Sequence, residues 1–192
     1  SEDSRPSRSP DDSWIVFESN RDGNLELYLT DPYGSIQTRL TETTSNNINP
    51  MFLADNKTVV FQSDRNGDWD IFSINIETGV ETQLTTDSND DIFPFASPDR
   101  NWITFESNRT GSQDIFLLNV GTGEVSQLTF TNANEIYPAW SPKTGKYIAY
   151  LTDENGIWDL IVLDLSTNQT QVISQGSDVD AMNHSWAPEG ER

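Results

Sequence analysis

The apolar residues of this chain fall in short runs bounded by Gly, Asn and Asp, and no apolar i, i+3, i+4, i+7 stripe of useful length appears. Trp14, Ile15, Val16 and Phe17 run together, a pattern that predicts a strand packed on both faces. The run then returns. "WIVFESNRDGNLELYLTD" from Trp14 is matched by "TVVFQSDRNGDWDIFSIN" from Thr58, "WITFESNRTGSQDIFLLN" from Trp102 and "YIAYLTDENGIWDLIVLD" from Tyr147. Pro6, Pro50, Pro94 and Pro138 stand before these lines at a spacing of about 44 residues, which lies in the range of propeller repeats.

Each repeat predicts four short strands. Strand A lies around Pro138 to Pro142 in the last full copy, and strand B is the "WITFES" type, rich in aromatic and β-branched residues. Asp22-Gly23, Asn66-Gly67, Thr110-Gly111 and Asn155-Gly156 then mark a tight hairpin. Strand C is the "DIFLLN" type, Asp114 to Asn119; a second turn holds Gly34, Gly79, Gly123 or the neighbourhood of Asn168. Strand D closes at Leu40, Leu84, Leu128 or Ile173. The expected fold is all-β: β-propeller blades of four antiparallel strands, four full repeats and a partial fifth. The repeats run over about 5–49, 50–93, 94–137 and 138–183, with the fragment "HSWAPEG" opening the stub 184–192. A sheet with two apolar faces needs a neighbour on each side, so one array over 1–192, either closed as a four-blade ring or part of a larger propeller, accounts for copies in series.

Charge narrows the partners. With 31 acids against 11 bases the formal net charge is −20, the wrong sign for phosphate backbones and for anionic membrane faces. It favours basic partners or cations. No cysteine is present, which removes disulfides, thiolate metal sites and Cys nucleophiles. No stretch is long and apolar enough for a membrane span.

Four constellations are candidates for chemistry. Arg21 with Glu26, Arg65 with Asp70 and Arg109 with Asp114 keep one spacing, and the expected role is a charge pair or turn hydrogen bond that fixes each hairpin, the alternative being a ring of docking charges on one rim. Asp64, Asn66, Asp68 and Asp70 alternate as oxygen ligands of a calcium loop would, although the glycine position differs from the established loop. Asn47, Asp91 and Glu135 lie three residues before the strand A prolines, with Asp180 in a similar place; they are candidates for an oxygen ring at a channel mouth that takes a cation or basic peptide. Trp69 and Trp158, just before strand C, are candidate contact anchors. Trp14, Trp102, Trp140 and Trp186 are expected in the core. His184 is the single histidine, and no nucleophile elbow, HExxH or phosphate loop occurs. The expectation is no enzyme.

"PAWSPKTGKYIAY" (Pro138 to Tyr150) and "SNRDGNLELY" (Ser19 to Tyr28) resemble the TolB-like (WD40-like, PD40) propeller repeat over nearly the whole chain. One departure is Arg8, where other copies have Phe52, Trp140 and Trp186. The resemblance implies an extracytoplasmic protein, periplasmic, secreted or at the cell surface. The family's namesake carries its propeller behind an α/β domain and binds a peptidoglycan-associated lipoprotein; other members accompany peptidase domains. The expected function is a non-catalytic protein–protein interaction or assembly module, with another protein or its own copies as partner, and without nucleic acid or membrane insertion. The alternatives are a cation-, peptide- or glycan-binding propeller, with calcium as the candidate ion, or the accessory propeller of a larger hydrolase.

Overall fold

The structure, a computed structural model, describes Glu2–Ser174 and Trp186. Among the described residues sixteen strands form four antiparallel sheets of four and no helix occurs. The first sheet, blade 1, is β1 (Asp3–Arg8), β2 (Ile15–Ser19), β3 (Glu26–Thr30) and β4 (Gln37–Arg39). Blade 2 is β5 (Asn47–Phe52), β6 (Thr58–Ser63), β7 (Asp70–Asn75) and β8 (Glu81–Gln83). Blade 3 is β9 (Asp91–Ala96), β10 (Trp102–Ser107), β11 (Asp114–Asn119) and β12 (Val125–Gln127). Blade 4 is β13 (Glu135–Trp140), β14 (Tyr147–Thr152), β15 (Asp159–Asp164) and β16 (Gln169–Val172). Strand order follows chain order in every sheet, as tight hairpins require. The chain divides into two compact units, Ser1–Ala96 and Ser97–Arg192.

The hairpins are where the Asn-Gly-type pairs predict them. Gly67 has φ +108°, a conformation that costs glycine nothing and a side chain much. Asn168 serves the second turn of blade 4 at φ +56°, the left-handed region that Asn tolerates.

In the first unit the faces of two sheets interlock. Val16, Leu27 and Leu29 of blade 1 pack with Phe52, Val59, Phe61 and Phe72 of blade 2, edged by Trp14, Leu40 and Ile76. Each fully buried large apolar side chain contributes about 1.5–3 kcal/mol. In the second unit Ile103, Phe105, Ile115, Leu118, Trp140, Ile148 and Leu163 are likewise buried. Trp14 and Trp102 are half-buried and Trp140 is buried. Half-buried Trp186 stacks on Tyr147 at 6.4 Å and donates from Nε1 to the Ala139 carbonyl.

Strand A starts earlier than expected. In blade 4 it spans Glu135–Trp140, so the segment Pro138 to Pro142 marks its end. The cause is a bulge: the register with strand B shifts between Ile48 and Met51 and between Ile136 and Ala139. Arg5, Asn49, Phe93 and Tyr137 occupy equivalent bulge positions at φ +46°, +55°, +50° and +54°. Positive φ at a large side chain costs energy, so something must hold these residues there.

Candidate functional site

Asn47, Asp91 and Glu135 are the first residues of their strands A, and all three are buried. Their backbone amides donate to carbonyls of the preceding blade: Asn47 to Leu25 at 2.8 Å, Asp91 to Trp69 at 2.6 Å and Glu135 to Gln113 at 2.6 Å. The residue before each works the same seam. Asn46, Asp90 and Asn134 accept with their side chains from the amides of Leu25, Trp69 and Gln113. Asn46 and Asn134 also donate from backbone and Nδ2 to Asp64 and Asp153, in the hairpins of their own blades. These positions therefore stitch one blade to the next. Asp180 lies outside the described residues.

Facing each seam is a buried carboxyl at the start of strand C, held by a threonine from the end of the same blade. Thr41, Thr85 and Thr129 Oγ1 each accept a strand C amide at 2.9 Å, from Leu27, Ile71 and Ile115. The same hydroxyls donate to Glu26 at 2.5 Å, Asp70 at 3.4 Å and Asp114 at 3.4 Å. In blade 4, Ser174 Oγ takes the Leu160 amide at 2.9 Å.

The seams differ in charge. Burial would raise Glu26, but donation from Thr41, the Thr43 amide, Asn24 and Asn47 outweighs it and holds its pKa below the usual value; Arg39 adds an ion pair at 3.1 Å. Asp70 is raised by burial, with Asp68 and Asp91 adding repulsion. Glu135 is raised by burial and by the neighbouring Asp114 carboxyl. One Glu135 oxygen accepts from Thr131 and Thr152, while the buried Oε2 has no donor. Two carboxyls in so little water favour a protonated Glu135.

A second seam holds the bulges. The amide of Asn49 donates to Glu18 Oε1 at 2.5 Å, that of Phe93 to Gln62 Oε1 at 2.8 Å and that of Tyr137 to Glu106 Oε1 at 2.7 Å. Each acceptor belongs to strand B of the preceding blade. Burial, opposed only by the Tyr137 amide, pushes the Glu106 pKa to about 8. Glu106 thus holds its proton at neutral pH.

The hairpin arginines make the turn hydrogen bond that is one of their two expected roles, and Arg21 and Arg65 do not make the charge pair that is the other. Arg21, Arg65 and Arg109 each donate from Nε to a serine two residues earlier, at 2.8, 3.0 and 2.9 Å. That bond lays the guanidinium over two stacked rings on strands B and C. Arg65 lies 4.3 Å from the Phe72 ring centre and 5.8 Å from that of Phe61; the rings are 5.9 Å apart. Arg21 covers Phe17 and Tyr28, and Arg109 covers Phe105 and Phe116, in the same way. Instead of closing a pair with Glu26 or Asp70 along the hairpin, Arg21 reaches Asp3 and Gln37, and Arg65 reaches Glu81 and Asn47. The signal was legible: Ser-x-Arg flanked by two register-matched aromatics, one on the strand before it and one on the strand after.

The remaining candidates stand apart. Asp64 faces Asn46, whereas Asp70 faces Asn66, Gln83 and Thr85, so those carboxylates of the candidate calcium set point to different partners. No group of three or more His, Cys, Asp or Glu is gathered to hold a metal among the described residues. Trp69 and Trp158 are half-buried, and the backbone of Trp69 belongs to the stitch with Asp90 and Asp91. Exposed apolar residues lie on other turns: Tyr33 is 91% exposed and Phe130 75%. No helix among the described residues is long and apolar enough to cross a membrane.

Repeated four-stranded sheets stitched at strand A define an array of β-propeller blades. The family model of the TolB β-propeller domain, PD40, matches residues 2–79 and 65–192, and the chain belongs to that family. Among solved structures it is similar to a protein assigned as TolB from Agrobacterium tumefaciens (24% identity, TM-score 0.77), with 88% of this chain and 63% of that one covered. It is similar also to TolB from Acinetobacter baumannii (24%, TM-score 0.77), covering 92% of this chain and 44% of that one. A puromycin hydrolase aligns at 15% identity and TM-score 0.76, covering 99% of this chain and 32% of the other. The chain thus spans less than two thirds of the length of each, and the likeness is one of fold. No curated protein matches the chain.

Proposed function

We propose that the chain is a non-catalytic binding module, whose partner is another protein or a second copy of itself, in an extracytoplasmic compartment. One observation carries this reading. The carboxyls and amides that recur in register are buried in bonds within and between blades, while large apolar side chains such as Tyr33, Val80 and Phe130 stand exposed on turns. Buried polar groups bonded within the fold suit a scaffold; exposed aromatics on turns suit contact with a protein surface. The net charge of −20 favours a partner with a basic face. Kinship with TolB propellers supports the extracytoplasmic setting.

Sedimentation velocity across a concentration series tests self-association. Titration with a purified peptidoglycan-associated lipoprotein, which the family resemblance suggests, tests the heterologous form. Association in either arm, weakened by Tyr33→Ser or Phe130→Ser, is the expected result. A monomer at all concentrations that ignores the lipoprotein, or turnover of peptide or ester substrates by the purified chain, contradicts the reading.

A further inference from the structure

Among the described residues each unit has a cleft between two of its blades, and the two clefts share repeat positions. In the first unit a cleft of about 660 Å³ has Trp14, Leu29 and Leu40 of blade 1 on one wall and Ile76 of blade 2 on the other. In the second unit a cleft of about 320 Å³ has Trp102, Leu117 and Leu128 facing Leu165. These eight residues correspond pair by pair along the repeat. All but Leu29 are half-buried, so the walls are apolar and reachable. The outer strands beside them, β4 and β12, are three residues each. The turn before strand B of the following blade completes each lip through Asn56 or Gly145, both at φ +62°. At Gly145 a Cβ would stand 3.3 Å from Pro98, so the bare backbone there preserves the opening.

The rims are acidic. Asp11, Asp55 and Glu77 border the first cleft against one cation, Lys57, which is paired with Glu77 at 2.8 Å. Asp99 is the charged residue lining the second. An apolar floor with an anionic rim selects a bulky apolar side chain flanked by lysine or arginine.

We propose that these two equivalent clefts are receptacles for extended peptide segments that carry an apolar anchor next to basic residues. The proposal rests on the binding-module reading above and names the surface and the chemistry of the partner segment.

Acetyl-Lys-Phe-Lys-amide is the probe, and the assigned indole N–H signals of Trp14 and Trp102 in ¹⁵N spectra are the readout. Both signals are expected to shift saturably. Acetyl-Lys-Ser-Lys-amide should bind at least roughly tenfold more weakly, because it lacks the buried ring; acetyl-Glu-Phe-Glu-amide should bind a few-fold more weakly. Thr38, exposed on the rim of the first cleft, gives an internal control: Thr38→Arg should abolish the Trp14 response and leave that of Trp102 intact. Equal responses to all three peptides, an unchanged Trp14 response in Thr38→Arg, silence of both indoles, or a larger shift with chitohexaose would overturn the proposal. Association that persists in the sedimentation assay while both indoles stay silent would sink the clefts alone and leave the binding-module reading standing.

Discussion

In the first three blades an arginine lies over two stacked rings; in the fourth, Glu154 stands at the arginine position and Ile161 at the second ring. The same blade replaces the bulge acceptor: Leu151 occupies the position of Glu18, Gln62 and Glu106. Leu151 is buried, so the site remains interior and only its chemistry changes. The losses go together for a physical reason. A guanidinium over a ring gains from the ring's negative face, and without the second ring an arginine there has half a platform. The strands need neither feature, since Tyr150 pairs with Ile161 in the same register as Phe61 with Phe72. Hydrophobic pattern and turns make a blade; the arginine clamp and the buried acceptor are additional fastenings that one copy does without.

The largest test of this contrast is truncation beneath the clamp. Phe72→Ala, at about 3–5 kcal/mol, is expected to cost more than Ile161→Ala, at about 2–5 kcal/mol, both read from urea unfolding. A costlier Ile161→Ala would reverse the ranking of the blades. Next comes Glu106→Gln, which copies Gln62 of blade 2. The raised Glu106 pKa means that the folded state holds a proton the unfolded chain releases near pH 4.5. Its stabilisation is therefore complete below that pH and falls as pH rises to about 8. Glutamine keeps the acceptor and has no proton to lose, so the variant should match the parent at pH 5 and exceed it by a few kcal/mol, about 2–4, at pH 8. A variant whose advantage is independent of pH would break that account.

Glu106→Leu copies blade 4 instead. It should strand the buried Tyr137 amide and cost about 1–3 kcal/mol at pH 5. No loss there would mean that the bulge does not depend on its acceptor. The smallest effect is the repair of blade 4. Glu154→Arg with Ile161→Phe should gain about 0.5–1 kcal/mol together, while Glu154→Arg alone changes little. Additive singles in a double-mutant cycle would show that the ring and the cation do not cooperate.

Most of the fold was legible because it is written in repeated copies, and Gly67, Gly111 and Asn168 mark turns wherever they stand. The start of strand A was not, because a bulge interrupts the two-residue period: Phe93 and Tyr137 look like ordinary strand residues and adopt positive φ. The register of Asn47, Asp91 and Glu135 was also visible. Their burial was not, since it depends on Leu25, Trp69 and Gln113 of the preceding copy, some 22 residues upstream. The charge pairs expected of Arg21 and Arg65 are missing for a related reason, while the expected turn hydrogen bonds are present. Spacing shows that a carboxylate is near in sequence, but the strand register puts two rings and a serine nearer in space.

The central claim is that recurring polar groups fasten each blade to the next through the bulges. Amide hydrogen exchange at Asn49, Phe93 and Tyr137 tests it most directly. These three amides should exchange only through global unfolding, at rates matching Phe61 and Phe105 in the strand cores. Exchange as fast as the exposed turns around Gly79 and Gly123 would contradict the claim.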